Sequence, residues 1–120
     1  MTKPSVYHKE GYTCAESIIK SYNEEHNTDI PVALGSGMGV GLTVGSICGA
    51  VNAAAMVVGY IKGRESNSEA NEARSYAREL MTTVRNRYNT EICADLKRNK
   101  ISCSEIIDFS YDALNEILDK

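Results

Sequence analysis

The chain has no tryptophan, one phenylalanine and two prolines among its 120 residues. It has no basic patch interleaved with aromatics, because 13 lysines and arginines are mixed with 16 acidic residues for a net charge of −3. That argues against nucleic acid as a partner. Met1 to Tyr12 is polar and carries no apolar signal-peptide segment, which implies a reducing, cytoplasmic setting where persistent structural disulfides are rare. No stretch alternates apolar and polar residues as a half-buried strand would, and no Asn-Gly hairpin signal occurs. Gly-x-Gly-x-x-Gly is missing too: from Gly35, Gly37 or Gly39 the sixth residue is Val40, Leu42 or Val44. With no Gly-Lys-Ser/Thr either, there is no phosphate-cradling loop signature. Cys-x-x-Cys is absent, and no histidine adjoins a cysteine.

What is present is helical periodicity. Cys14, Ala15, Ile18, Ile19 and Tyr22 form one stripe of a helix from about Cys14 to Glu25, ended by Asn27, Asp29 and Pro31. A short turn over Pro31 to Leu34 leads into a Gly-rich stretch. No charge occurs between Asp29 and Lys62, and Ser46 to Ile61 is the best buried helix, with Gly63 as its C-cap. Ser66-Asn67-Ser68-Glu69 reads as a capping box opening a polar helix to about Tyr88, with Ala73, Ala77, Leu80, Met81, Val84 and Tyr88 inward. Thr90 to Leu96 gives one more short helix, and Cys103 to about Leu118 the last. The expected fold is all-α, a compact bundle of four or five helices around a Gly/Ala-rich central helix. Residues 1–11 read as a flexible arm, and 12–120 as a single four-cysteine domain.

The four cysteines stand at or near expected helix starts. Thr13-Cys14-Ala15-Glu16 and Ser102-Cys103-Ser104-Glu105 both fit a capping box, which puts Cys14 and Cys103 at the first helical residue. Glu16 and Glu105 are then caps rather than acids or bases. Cys48 and Cys93 closely follow Ser46 and Thr90. Amide N–H groups and the helix dipole at such positions favour a thiolate. His8 and His26 read as ordinary surface residues.

Gly37, Gly41, Gly45 and Gly49 recur at every fourth position, followed by Ala53, with Gly35 and Gly39 between. Small residues at this spacing allow close helix packing, the favoured reading for Gly45, Gly49 and Ala53. A Gly-rich backbone can also present N–H groups to an anion, a thiolate or a sulfide, which makes Gly37, Gly39 and Gly41 candidate cofactor-binding positions. The same stripe and the few charges of the central helix suggest a homodimer. A membrane span is the minority reading, because Thr43, Ser46, Asn52 and the glycines dilute the apolar stretch.

Gly35-Ser36-Gly37-Met38-Gly39, then Cys48-Gly49-Ala50-Val51-Asn52-Ala53, then separate Cys93 and Cys103, resemble the redox-active family labelled by the pattern C_GCAxxG_C_C, with Cys14 as its first cysteine. The chain has Ala53 where the family usually has Gly, and Val40 where a basic residue often follows Gly-Met-Gly. The resemblance implies a redox or ligand role for Cys14, Cys48, Cys93 and Cys103; in related domains attached to electron-transfer proteins, an iron–sulfur cluster on the four cysteines is the suspected cofactor.

The residues themselves leave three readings. Four thiolates suit an iron–sulfur cluster, or failing that Zn²⁺, and the protein would then serve electron transfer with a redox partner protein. Without metal, the same cysteines could run thiol–disulfide exchange, with Cys93 and Cys103 closest in sequence. Third, the chain could be a helical interaction protein whose free cysteines only fill its core. No general acid, base or phosphate motif argues for an enzyme with its own small-molecule substrate.

Overall fold

The computed structural model describes residues 3–119. Six α-helices follow in order: α1 (Pro4–Lys9), α2 (Cys14–His26), α3 (Gly49–Lys62), α4 (Ala73–Tyr88), α5 (Cys93–Arg98) and α6 (Cys103–Leu118). A short 3-10 turn spans Val32–Gly35. There is no strand among the described residues, and one isolated antiparallel bridge joins Ile47 to Ile92. The fold is the all-α bundle that the periodicity predicts.

α3 is the axle of the bundle. It packs against α2, α4 and α6. Ala50, Ala53 and Ala54 are fully buried, so three neighbouring helices can close in on it. Ile18 and Ile19 of α2, Val51 and Val57 of α3, Leu80 and Val84 of α4, and Ile107 and Leu114 of α6 fill the space between. Each large side chain among them contributes about 1.5–3 kcal/mol on burial. Of the small-residue stripe, Gly41, Gly49 and Ala53 are buried within the chain, whereas Gly37 is exposed and Gly45 half-buried. α3 ends at Gly63, whose N–H donates to the Gly59 carbonyl at 2.8 Å. A Cβ at Gly63 would come within 2.1 Å of that oxygen. At 14 residues, α3 is too short to cross a bilayer, and no described helix is long and apolar enough to do so.

The structure departs from the sequence reading in three places. Part of the supposed N-terminal arm is α1, with Pro4 at a helix start where its missing N–H costs nothing. Ser5 ties α1 to α6: its N–H and hydroxyl both donate to Asp108, at 3.1 and 2.7 Å. The Lys20 ammonium of α2 lies 5.0 and 4.9 Å from the ring centroids of Tyr7 and Tyr12, which meet edge to face. Second, the capping box at Ser66–Glu69 does not form, and α4 begins at Ala73. Residues 63–72 are exposed and present no apolar stripe, while Arg64 donates to the carbonyls of Asn67 and Glu69. Third, Gly45 is not in the central helix. It has φ +77°, and α3 starts only at Gly49.

Candidate functional site: a four-cysteine cavity

Three helix starts and one helix cap bring the cysteines to one end of the bundle. Cys14, Cys93 and Cys103 are the first residues of α2, α5 and α6, and Cys48 is the N-cap of α3. All four line a single cavity of about 110 Å³, together with Leu96, Ile101, Ile106, Gly39 and others. All are free thiols; Cys48 and Cys93 are buried, Cys14 half-buried and Cys103 exposed.

Each approach has a local cause. The capping box at Thr13 is complete: its hydroxyl accepts from the Glu16 N–H at 3.0 Å, and Glu16 accepts from the Thr13 N–H at 2.8 Å. The same two residues hold the glycine loop, since Thr13 donates to the Gly35 carbonyl and Ser36 donates to Glu16 at 2.6 Å. Cys48 and Cys93 are brought side by side by the Ile47–Ile92 bridge. The Cys48 N–H donates to the Glu91 carbonyl at 2.8 Å, and the Cys93 N–H to the Ser46 carbonyl at 2.7 Å. Ser102 caps α6 by accepting from the Glu105 N–H at 3.1 Å, but the Glu105 carboxylate accepts from the Tyr88 hydroxyl at 2.9 Å.

Two glycines make the closeness possible. A Cβ at Gly49 would lie 2.5 Å from the Cys14 sulfur and 2.6 Å from the Met38 carbonyl. One at Gly41, which has φ +60°, would lie 2.7 Å from Cys93 Cβ and 2.5 Å from the Ser46 backbone. Of the candidate cofactor-binding glycines, Gly39 lines the cavity and Gly41 abuts Cys93, whereas Gly37 is exposed with open space around it. Between them the backbone is strained: Val40, Leu42 and Thr43 have φ of 53°, 58° and 66°. That conformation is rare for β-branched residues and costs on the order of 1–3 kcal/mol each. Val40, which lines the cavity, is 56% exposed, and Val44 farther along the same loop is 80% exposed.

At Cys14 and Cys48 the electrostatics run against the expectation of thiolates. Burial pushes the Cys48 thiol up to about 11, against the opposing pull of the Val51 and Ala50 amides, and neighbouring Cys14 and Cys93 add to the rise. Cys14 is raised for the same reason, with the amides of Val40 and Ala15 lowering it and Cys103 and Cys93 raising it. Desolvation outweighs the helix N-terminus at both positions. These mutual effects also mean that the four sulfurs are electrostatic neighbours. As they stand, no three His, Cys, Asp or Glu side chains among the described residues are grouped closely enough to hold one metal ion.

Two lining residues escaped the sequence reading. His8, from α1, and Lys97, from α5, both border the cavity. His8 had been assigned to a loose arm; Pro4 at a helix start and Gly11 beyond its end were the signals for α1. His26 lies elsewhere, stacked on Tyr22 with ring centroids 4.2 Å apart.

Comparison with curated proteins and with solved structures gives no match. Residues 12–117 match a family model described as "Putative redox-active protein (C_GCAxxG_C_C)", and with 106 of its 120 residues covered the chain belongs to that family.

Proposed function

We propose that the cavity is a four-cysteine redox centre that holds an iron–sulfur cluster on Cys14, Cys48, Cys93 and Cys103, and that the protein passes electrons to a partner protein. The observation that carries this reading is the convergence of all four thiols on one apolar cavity of about 110 Å³. A single tetrahedral ion needs its sulfurs within about 2.3 Å of one point. The thiols line a space of about 110 Å³, and a multi-atom cluster bridges sulfurs that stand farther apart than one ion can reach. The residues also fit the charge. The starts of α2 and α3 turn amide N–H groups toward Cys14 and Cys48, and Lys97 lines the cavity. The Val40, Ala15, Ala50 and Val51 amides favour thiolates at Cys14 and Cys48. Those two are poor free nucleophiles, because burial keeps them protonated; metal ligation displaces the proton. A bound cluster would supply a one-electron couple, and the apolar walls and amides would set its potential.

The test is anaerobic expression followed by iron, zinc and acid-labile sulfide analysis and a visible spectrum. Iron with sulfide and charge-transfer bands, lost in Cys48→Ser, is the expected result. A colourless protein that takes up neither iron nor sulfide would sink the cluster. A second reading, thiol–disulfide exchange without metal, is favoured by the exposure of Cys103 next to buried thiols. In that case Cys103 attacks a partner's disulfide and a neighbouring cysteine resolves the mixed disulfide, leaving the partner as two thiols. Mass spectrometry of the metal-free protein after mild oxidation would then show one internal disulfide that includes Cys103.

A further inference from the structure

The four cysteines do not exhaust the donors around the cavity. His8 lines it as well, and its ring is oriented in a way that bears on ligation. Nδ1 lies 3.0 Å from the Tyr12 carbonyl oxygen. A carbonyl only accepts, so Nδ1 carries the proton and, in the neutral ring, Nε2 carries the lone pair. An imidazole whose one nitrogen donates to a backbone carbonyl while the other is left basic is the arrangement that metal-ligating histidines adopt.

The ring is not on a loose tail. Ser5 fastens α1 to Asp108 with two hydrogen bonds, and Pro4 is buried. The accepting carbonyl is fixed too, since the Tyr12 N–H donates to the Tyr7 carbonyl at 3.3 Å and Thr13 begins the cap of α2. No carboxylate lines the cavity, Lys97 is a cation, and the Thr13 hydroxyl is occupied in the capping box. His8 is therefore the one lining side chain besides the thiols that can supply a ligand lone pair.

We infer that His8 is a nitrogen donor to the cysteine centre through Nε2, so that the centre has mixed sulfur and nitrogen ligation. The inference rests on the proposal that the cavity holds a cluster. His8 lies outside the residues 12–117 matched by the family, so the donor is a feature of this chain rather than of the pattern. A neutral imidazole that took the place of the Cys103 thiolate would lower the negative charge around the centre and raise its reduction potential.

The test is reconstitution of the whole protein with ferrous iron and sulfide under anaerobic conditions, with histidine alone labelled by ¹⁵N, and pulsed EPR of the dithionite-reduced centre. The expected result is a strongly coupled ¹⁵N signal that persists in His26→Ala and vanishes in His8→Ala, with the helical circular dichroism of both variants unchanged. A paramagnetic centre with no strong histidine coupling in the wild-type protein would overturn the role of His8 and leave the cluster standing. So would a coupling that survives His8→Ala. Failure of the wild-type protein to take up iron and sulfide would overturn both.

Discussion

Thr13-Cys14-Ala15-Glu16 and Ser102-Cys103-Ser104-Glu105 are almost the same word, yet they make different sites. In the first, both halves of the capping box close, the glycine loop is laced to Thr13 and Glu16, and the thiol is half-buried. In the second, only the serine half forms, Glu105 turns to Tyr88, and the thiol is exposed. The cap sets where a helix begins and which atom comes first. What folds over that atom decides its chemistry: Gly49 and Met38 cover Cys14, whereas Cys103 faces the rim.

The largest expected consequence is in reactivity. In the metal-free reduced protein at pH 7.5, Cys103 should be alkylated by iodoacetamide at least about 100-fold faster than Cys48, as buried, protonated thiols are inert. Peptide mapping against time checks it, and equal rates would erase the contrast. The same burial gives a stability profile. The Cys48 thiol is raised from 9.0 to about 11, so folding favours its protonated form. That contribution is complete below pH 9 and lost as pH rises through about 11, a fall of about 3 kcal/mol. Urea unfolding of wild-type and Cys48→Ala protein from pH 8 to 11 should show a steeper fall in the former, over the shared slope from Cys14 and the buried tyrosines.

A smaller effect separates the glycines. Gly49→Ala sets a methyl against the Cys14 sulfur and the Met38 carbonyl and should cost about 1–3 kcal/mol. Gly37→Ala, with nothing within reach of its new methyl, should stay within about 0.5 kcal/mol. Equal denaturation midpoints would mean that the loop does not press on Cys14. Smallest is the difference between the caps. Thr13→Ala should cost about 2 kcal/mol and Ser102→Ala about 1, the excess reflecting the further bond from Thr13 to Gly35. Thermal unfolding of the two variants side by side resolves it.

Local signals in the sequence carried far. The caps at Thr13 and Ser102, the stripe of α2, the buried α3 and the inward residues Leu80, Val84 and Tyr88 follow from spacing and composition alone. Signals that depend on a distant partner did not. α1 is held by Asp108, more than a hundred residues away, and so looked like an arm. Ser66–Glu69 has the letters of a cap but no apolar face to bury behind it. Helix position pointed to thiolates at Cys14 and Cys48, whereas burial, a property of the assembled core, raises both thiols. Gly41 and Gly49 read as steps of a helical stripe; one is a left-handed corner and the other the first turn of α3, and both matter because sulfur-bearing side chains lie against them.

The single bridge between Ile47 and Ile92 has a bearing on how the chain reaches this state. It joins segments separated by all of α3 and α4, so its loop-closure cost is met only after those helices have docked. Until they dock, Cys48 and Cys93 stand 45 residues apart along the chain, so the pairing that sets these two thiols side by side is a long-range one.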